Sequence, residues 1–454
     1  MVKEDRPTCD RFAIESLGEA SIPSPLERAD EMSFIRDDQR LAVSPIVGTL
    51  ATQLQHGQIP EGFELAGPRS KIYFNPPKTR AAVVTCGGLC PGINAVIRGL
   101  VLQLWYRYNC RQILGIRYGY GGLGLDSDPP IELDPDFVSQ IHQTGGTILG
   151  SSRGAPPVAE MVDFLVKHRI DMLFAIGGDG TMRGAQAIWQ EVARRGLKIA
   201  IVSIPKTIDN DIPFVRRSFG FETAVGVATH AIHSAHTEAT GAPYGIGLVK
   251  LMGRHAGYIA ATACLATGHA NFCLIPEVPF SLEGPGGLLE QVENRVLLRR
   301  HAVIVVAEGA GQYFLDQENK GRDASGNVKL GDIGTYLKDR INSHFAAKNL
   351  PVTLKYIDPS YLIRSAPANP NDQLHCARLA QNAVHAAMAG KTGLLIGYWH
   401  GHMTHVPTSA LTGVKQRINP QGELWFSVLE TTGQPPNLGG NPSPSADLTH
   451  RSGE

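Results

Sequence analysis

The sequence predicts an α/β fold, arranged as two lobes with mainly parallel sheets and a cleft between them. Three observations carry this reading. Strand-like apolar runs alternate with helix-like segments through most of the chain, as repeated βαβ units do. Two of the runs, Met172-Leu173-Phe174-Ala175-Ile176 and Ile199-Ala200-Ile201-Val202-Ser203-Ile204, are near-continuously apolar, which marks strands buried on both faces. The 50 glycines sit largely in short turns between periodic segments, where strand–helix junctions need them.

In order along the chain, residues 1–75 carry scattered proline and charge and are expected to form an extension, with a short helix near 45–56. Strands are expected at 81–85, 112–116, 172–176, 199–204, 246–250, 272–275, 302–307, 352–357 and 394–397. Helices are expected at 182–195, 223–240, 255–267, 283–298, 333–348 and 372–389. Nine strands are many for one doubly wound sheet, so the boundary between lobes is placed just after residue 211. The first lobe spans 76–222 and is completed by about 366–433; the second spans 223–365. Residues 434–454 are rich in Pro, Ser, Gly and Asn and are expected to be disordered.

Bulk composition excludes several functions. The chain is 43% hydrophobic and 19% charged, the balance of a soluble globular protein. Its 42 basic and 42 acidic residues give a formal net charge of +0, so neither nucleic acid nor a membrane surface is expected as a partner. Any phosphate site must be local. No run approaches the ~18 apolar residues of a spanning helix. Met1-Val2-Lys3-Glu4-Asp5-Arg6 lacks the apolar core of a secretory signal, so a cytoplasmic location is expected. The seven scattered cysteines, without CxxC spacing, suit reduced thiols better than disulfides or zinc. Cys86 and Cys90 are four apart; a metal pair there is the lesser alternative to a plain turn. His400, His402 and His405 are likewise read as a surface loop ahead of a metal site. His230, His233 and His236 share a helix without accompanying carboxylates or cysteines.

The chemistry sits in loops at strand ends, which face the ligand crevice of an open α/β sheet. Cys86-Gly87-Gly88-Leu89-Cys90-Pro91-Gly92-Ile93-Asn94 is a glycine turn opening an apolar helix, a ready anion site. Thr147-Ile148-Leu149-Gly150-Ser151-Ser152-Arg153-Gly154 offers hydroxyls and a guanidinium suited to a bidentate phosphate clamp. In Gly177-Gly178-Asp179-Gly180-Thr181 the glycines let backbone approach a phosphate, and Asp179 suits Mg²⁺ or, more blandly, a helix N-cap. Pro205-Lys206-Thr207-Ile208-Asp209-Asn210-Asp211 supplies a cation, a hydroxyl and two carboxylates. Either Asp209 or Asp211 can serve as base, kept ionised by Lys206 or Mg²⁺. Backbone donors, a metal ligand and a base at one place are the parts of phosphoryl transfer to a hydroxyl. In the second lobe Met252-Gly253-Arg254, Glu308 before Gly309-Ala310-Gly311, and Tyr361-Leu362-Ile363-Arg364 put two arginines and an acid at strand ends, which suits a phosphorylated, polyhydroxylated substrate.

These loops, with Pro276-Glu277-Val278-Pro279-Phe280, keep the order and approximate spacing of the 6-phosphofructokinase family. The resemblance covers roughly residues 72–410 and is closest to the long, plant-like branch. It implies two Rossmann-like lobes, one for nucleotide and one for sugar phosphate, with the active site in the cleft between them. It implies MgATP and fructose 6-phosphate as small-molecule substrates, a homo-oligomer of two or four chains, and a place in glycolysis. By position, Asp209 resembles the base acting on the 1-hydroxyl, with Thr207 and Arg254 beside it, and Asp179 resembles the Mg²⁺ ligand. Gly88, Arg153, Gly154, Gly178, Gly180 and Thr181 fall where the family binds nucleotide. Thr207, Ile208, Met252, Gly253, Arg254, Glu308, Tyr361, Leu362, Ile363 and Arg364 fall on the sugar phosphate.

Two positions bear on the donor. The family has glycine after the metal aspartate in ATP users and aspartate in pyrophosphate users; here it is Gly180, since an aspartate would repel the nucleotide α-phosphate. Lys206 stands where pyrophosphate users also carry lysine. The mixed pair resembles the plant-like ATP branch, with a diphosphate-dependent phosphotransferase as the alternative. A non-catalytic nucleotide sensor is a further alternative, opposed by the intact Asp179, Asp209 and Arg254. The chain departs from the short bacterial members at Gly245 and Leu102, where those carry arginines, while Arg98 keeps its counterpart; their form of allosteric control is therefore not expected.

Overall fold

The computed structural model describes residues 11–26, 34–152, 154–315, 321, 329–411, 413 and 415–439. The expectation of disorder for 434–454 falls, from residue 440 onward, outside them. In chain order the elements are β1 (Arg40–Ala42), α1 (Val47–Gln55), β2 (Gly62–Leu65), β3 (Arg80–Thr85), α2 (Ile93–Leu102), β4 (Gln112–Ile116), β5 (Ile131–Glu132), α3 (Val158–Lys167), β6 (Met172–Gly177), α4 (Asp179–Arg194), β7 (Ala200–Pro205) and α5 (Phe221–Thr240). There follow β8 (Gly245–Leu251), α6 (Tyr258–Thr267), β9 (Phe272–Leu274), α7 (Leu288–Arg299), β10 (His301–Ala307), α8 (Ile333–Ala347), β11 (Thr353–Ile357), α9 (Ser360–Ser365), α10 (Pro370–Met388), β12 (Leu394–Trp399) and β13 (His402–Pro407). All nine expected strands are present, and the helix expected near 45–56 is α1.

The chain divides into two compact units. The first comprises the described residues up to Thr223 together with Arg364–Lys415; the second comprises the described residues of 224–363 and those from Gln416 on.

The first unit is built on a nine-stranded sheet of order β1-β2-β13-β12-β7-β6-β3-β4-β5. Its centre, β12-β7-β6-β3-β4, is parallel. The flanking β1, β2, β13 and β5 run antiparallel to their neighbours. Val83, Phe174 and Val202 pack one face of the central strands against Ile97, Leu100 and Ala383 of α2 and α10. Val84, Leu173 and Ile201 pack the other face against Met161, Leu165 and Ile188 of α3 and α4. Covering both faces explains the unbroken apolar runs. The connection from β3 runs outward to β4, while the connection from β6 runs the opposite way to β7. The winding therefore reverses between β3 and β6, and this is where an open α/β sheet forms its ligand crevice. Register places Thr85 beside Ile176, and Gly177 beside Pro205, so the loops after β3, β6 and β7 leave the sheet at one level.

The second unit has a four-stranded parallel sheet of order β9-β10-β8-β11. Ile246, Leu248, Ile304 and Val306 pack against Val292 and Leu337 of α7 and α8. The chain leaves β8 toward β9 but leaves β10 toward β11, so the reversal lies between β8 and β10. Leu251 is in register with Ala307, which brings the loops carrying Met252 and Glu308 out side by side.

Three of the local readings that change are these. Residues 402–407 are not a loop but β13, pairing antiparallel with β12 from Trp399↔His402 to Leu394↔Pro407. The 1–75 segment does more than extend the chain, because β1 and β2 lengthen the first sheet. Helix α4 begins at Asp179, three residues before the expected start, because Gly180 and Thr181 are already helical.

Candidate active site

In the first unit the three loops are tied together by backbone and side-chain hydrogen bonds. Lys206 N–H donates to the Gly177 carbonyl at 2.8 Å, and Lys206 Nζ donates to the Gly88 carbonyl at 2.8 Å. Ser151 Oγ donates to the Gly87 carbonyl at 2.5 Å. Gly177 has no room for a side chain: a Cβ would lie 2.0 Å from Thr181 Oγ1. Gly88 and Gly154 open onto space, with nothing within 4 Å of an added Cβ, and at Gly180 the nearest atom is Arg183 Nη2 at 3.9 Å. The fold therefore does not crowd out a side chain at Gly180. Gly178 caps α4, leaving the first turn of a sixteen-residue helix facing the crevice between β3 and β6.

The charges converge on the same place. Lys206 is 7% exposed, and its burial pushes its pKa below the ordinary lysine value. Asp209 and Arg364 both lie close enough to act on the Lys206 charge, so Arg364, 155 positions away in sequence, belongs with the Asp209 loop (364 − 209). Asp211 has both oxygens engaged. Oδ1 accepts from Thr207 Oγ1 at 2.7 Å, and Oδ2 accepts from Lys415 Nζ at 3.2 Å. Lys415 also meets Asp179 Oδ2 at 2.9 Å. Burial opposes the Lys415 charge, but Asp211 and Asp179 outweigh it and raise the pKa. Asn210 adopts the left-handed backbone, φ 55°, and its amide Oδ1 accepts from Ser218 N–H at 2.9 Å, which turns the loop back on itself.

Asp179 and Asp211 present two oxygens converging on a single cationic atom. Mg²⁺ is held in just this way, by one or two carboxylates completed by water and substrate phosphates. Among the described residues no group of three or more His, Cys, Asp or Glu is placed to hold a metal ion. The residues fit Mg²⁺.

In the second unit, Glu308 N–H donates to the Leu251 carbonyl at 2.8 Å and Gly309 N–H to the Gly253 carbonyl at 3.0 Å. A Cβ on Gly309 would lie 2.0 Å from the Arg254 carbonyl, so only glycine lets the two loops zip together. Met252, Gly253, Arg254 and Glu308 are thereby brought together at the switch point. Met252 and Ile363 are buried in the core and can offer a ligand only backbone, whereas Tyr361 is 84% exposed. Glu277, of the Pro276–Phe280 motif, accepts from Gly257 N–H at 3.0 Å ahead of α6 and from Ile418 N–H at 2.9 Å, so it is a structural brace.

Other sequence candidates are resolved differently. Arg153 lies outside the described residues. Cys86 and Cys90 are buried, and burial pushes each thiol up to about 12. His405 is fully buried on β13 rather than in a surface loop, and its Nδ1 lies 2.9 Å from Glu64 Oε1. His236 stacks on His269 with ring centroids 4.2 Å apart. Gly245 is fixed by packing, since a Cβ would lie 2.1 Å from the Ala239 carbonyl. Sequence reasoning missed Lys415, which a solitary lysine in a polar stretch does not advertise.

Two α/β units, each with polar loops gathered at the reversal of its sheet, define a ligand-binding protein of the doubly wound class with a phosphate-type site in the first. The phosphofructokinase family profile matches residues 80–387. The chain is 54% identical over 379 residues to ATP-dependent 6-phosphofructokinase of Borreliella burgdorferi, covering 82% of this chain and 85% of that one. It is 47% identical over 441 residues to the enzyme of that name from Amycolatopsis methanolica, covering 95% and 96%. It is 48% identical over 386 residues to ATP-dependent 6-phosphofructokinase 1 of Arabidopsis thaliana, covering 84% and 81%. Among solved structures, pyrophosphate-dependent phosphofructokinase from Nitrosospira multiformis shares the fold with a TM-score of 0.65 at 21% identity, over 78% of this chain and 91% of that one. The chain belongs to the phosphofructokinase family.

Proposed function

We infer that this chain transfers the terminal phosphoryl group of MgATP to the 1-hydroxyl of D-fructose 6-phosphate, giving fructose 1,6-bisphosphate and ADP, the committed step of glycolysis. The observation that carries the reading is the convergence, at the switch point of the first sheet, of the Gly88 loop, the α4 N-terminus with Asp179, and the Thr207–Asp211 loop. We assign the base to Asp209 by its position in the Thr207–Asp211 loop, while Asp211 accepts from Thr207 through Oδ1 and from Lys415 through Oδ2. The Asp209 carboxylate takes the proton of the 1-hydroxyl as that oxygen bonds to the γ-phosphorus and the bond to the bridging β–γ oxygen breaks. Gly88, Gly154, Gly178, Gly180 and Thr181 present backbone to the nucleotide. By their resemblance to the family's motifs, Thr207, Ile208, Met252, Gly253, Arg254, Glu308, Tyr361, Leu362, Ile363 and Arg364 are assigned to the sugar phosphate, with Arg254 countering developing charge. Asp179 and Asp211 would hold Mg²⁺, which when bound would supply charge neutralisation to the donor's phosphates.

The open space at Gly180 supports ATP as donor. Pyrophosphate is the second reading, favoured by Lys206, although that lysine is engaged with the Gly88 carbonyl. We place the protein in the cytoplasm as a homo-oligomer of two or four chains; the six described cysteines, all free and buried, suit a reducing compartment. Initial rates with fructose 6-phosphate and Mg²⁺, comparing ATP with pyrophosphate at matched concentration, test the reading. A large preference for ATP is expected. Turnover chiefly with pyrophosphate overturns the donor assignment, and no turnover with either overturns the enzyme reading in favour of a nucleotide sensor.

A further inference from the structure

The Lys415 ammonium sits between two carboxylates that arise from neighbouring strands, 2.9 Å from Asp179 Oδ2 and 3.2 Å from Asp211 Oδ2. Asp179 follows β6 and Asp211 follows β7, and each strand fixes its loop by register with the other. Lys415 reaches them from a third segment, beyond β13. The Asp211 oxygen it takes is the one that Thr207 leaves open. Two facing carboxylates repel and need a cation between them. A lysine supplies a compact charge on a flexible four-carbon stem, able to withdraw without moving the backbone. Its side chain is one-third exposed, so there is room for it to leave.

We propose that Lys415 is a built-in counter-cation: its ammonium holds Asp179 and Asp211 in place while no divalent cation is bound, and must leave them for the metal to enter. This rests on the reading of Asp179 and Asp211 as the carboxylates that hold Mg²⁺. A metal ion at about 2.1 Å from these oxygens and an ammonium at hydrogen-bond distance from the same oxygens exclude each other. The metal alone therefore binds poorly, because it must displace a tethered charge. With nucleotide present, the phosphates give the released ammonium a new anionic partner, so metal and nucleotide enter together. Lys415 is thus a positioning residue, and it sets a threshold against occupancy of the site by free metal.

The test is Mn²⁺ binding to the full chain without nucleotide, followed by the electron paramagnetic resonance signal of the free ion. Lys415→Met is expected to bind Mn²⁺ at least about tenfold more tightly than wild type, the effect of removing one adjacent like charge. Lys415→Arg, which keeps the charge, is expected to bind as weakly as wild type. Unchanged or weaker binding by Lys415→Met overturns the proposal. Wild type offers a second measurement should that variant fold poorly: labelling of Lys415 by an amine-reactive reagent, read by mass spectrometry. Labelling is expected to rise on adding Mn²⁺, and constant labelling overturns the proposal. Asp179→Asn separates the two readings. If it leaves Mn²⁺ affinity unchanged, the metal-ligand reading itself fails. If it abolishes binding while Lys415→Met matches wild type, only the counter-cation fails.

Discussion

The Lys206 ammonium and the Gly88 carbonyl, 2.8 Å apart, join the loops that follow two different strands of the first sheet. Lys206 is buried, and burial lowers its pKa, so the carbonyl's partial negative charge is part of what retains the cation there. An ammonium committed to backbone in this way is a structural clamp on the Gly88 loop before it is a ligand for any donor. Lys206→Met keeps the stem and removes the charge. It is expected to destabilise the protein by about 1.5–3 kcal/mol, the range for a hydrogen bond made by a charged group, and to raise the KM for ATP without making pyrophosphate a better donor. Urea unfolding together with donor kinetics checks this; a switch of donor would show that Lys206 reads the phosphoryl donor directly.

Asp209 and Asp211 are two positions apart and differ in what holds them. Asp211 accepts from Thr207 and Lys415, whereas Asp209 lies beside the buried Lys206 and Cys90. Asp209→Asn is expected to lower kcat by about 10²–10⁴-fold, the share of a general base, with nucleotide affinity nearly unchanged. Single-turnover kinetics and nucleotide titration separate the two quantities. Near-normal turnover would remove the base assignment from Asp209.

Gly180 occupies the second position of α4, and outside its own stretch of helix backbone the nearest atom to an added Cβ is Arg183 Nη2 at 3.9 Å. Backbone geometry therefore tolerates Gly180→Asp. The expected variant melts within a few degrees of wild type, yet its kcat/KM for ATP falls roughly 10²–10³-fold, since placing like charges against each other costs several kcal/mol. Pyrophosphate, which has no α-phosphate of the nucleotide kind, is expected to be spared. An equal loss with both donors would show that the aspartate damages the site generally.

Most of the βαβ framework was legible because central parallel strands bury both faces, and runs such as Met172–Gly177 cannot be mistaken for a solvent-facing edge. The β12–β13 hairpin was not, because His402-Met403-Thr404-His405 reads as polar. His402 is exposed, but His405 is buried by specific pairing: it meets Glu64, which in turn takes Arg69 at 2.8 Å. Such pairing comes from residues some 340 positions apart (405 − 64) and leaves no local pattern. The glycine loops and the Asp209 loop were legible because each follows a buried strand. Lys415 was not, since a single lysine has no period or motif. The choice of Asp209 over Asp211 as base came from the position of Asp209 in the family's motif, since the two carboxylates are alike as a local pattern.

His375 and His385 make stability fall on the acid side. His375 Nε2 lies 2.9 Å from the Arg217 carbonyl while its Nδ1 is buried without a partner, so a second proton would place an uncompensated charge in the core. His385 Nδ1 lies 2.7 Å from Tyr108 Oη. Burial, with nearby arginines, lowers His375 to about 4 and His385 to about 3. Both folded values lie below the unfolded one of about 6.5. Between these limits the unfolded chain binds more protons, so stability is full above about pH 6.5 and declines as pH falls toward the folded values. The slope is roughly 1.4 kcal/mol per pH unit for each histidine. Urea unfolding between about pH 7 and pH 5 is expected to show this decline. The His375→Gln and His385→Gln double variant, which keeps polar partners for Arg217 and Tyr108, is expected to flatten it. An unchanged slope in that variant would assign the acid sensitivity to other groups.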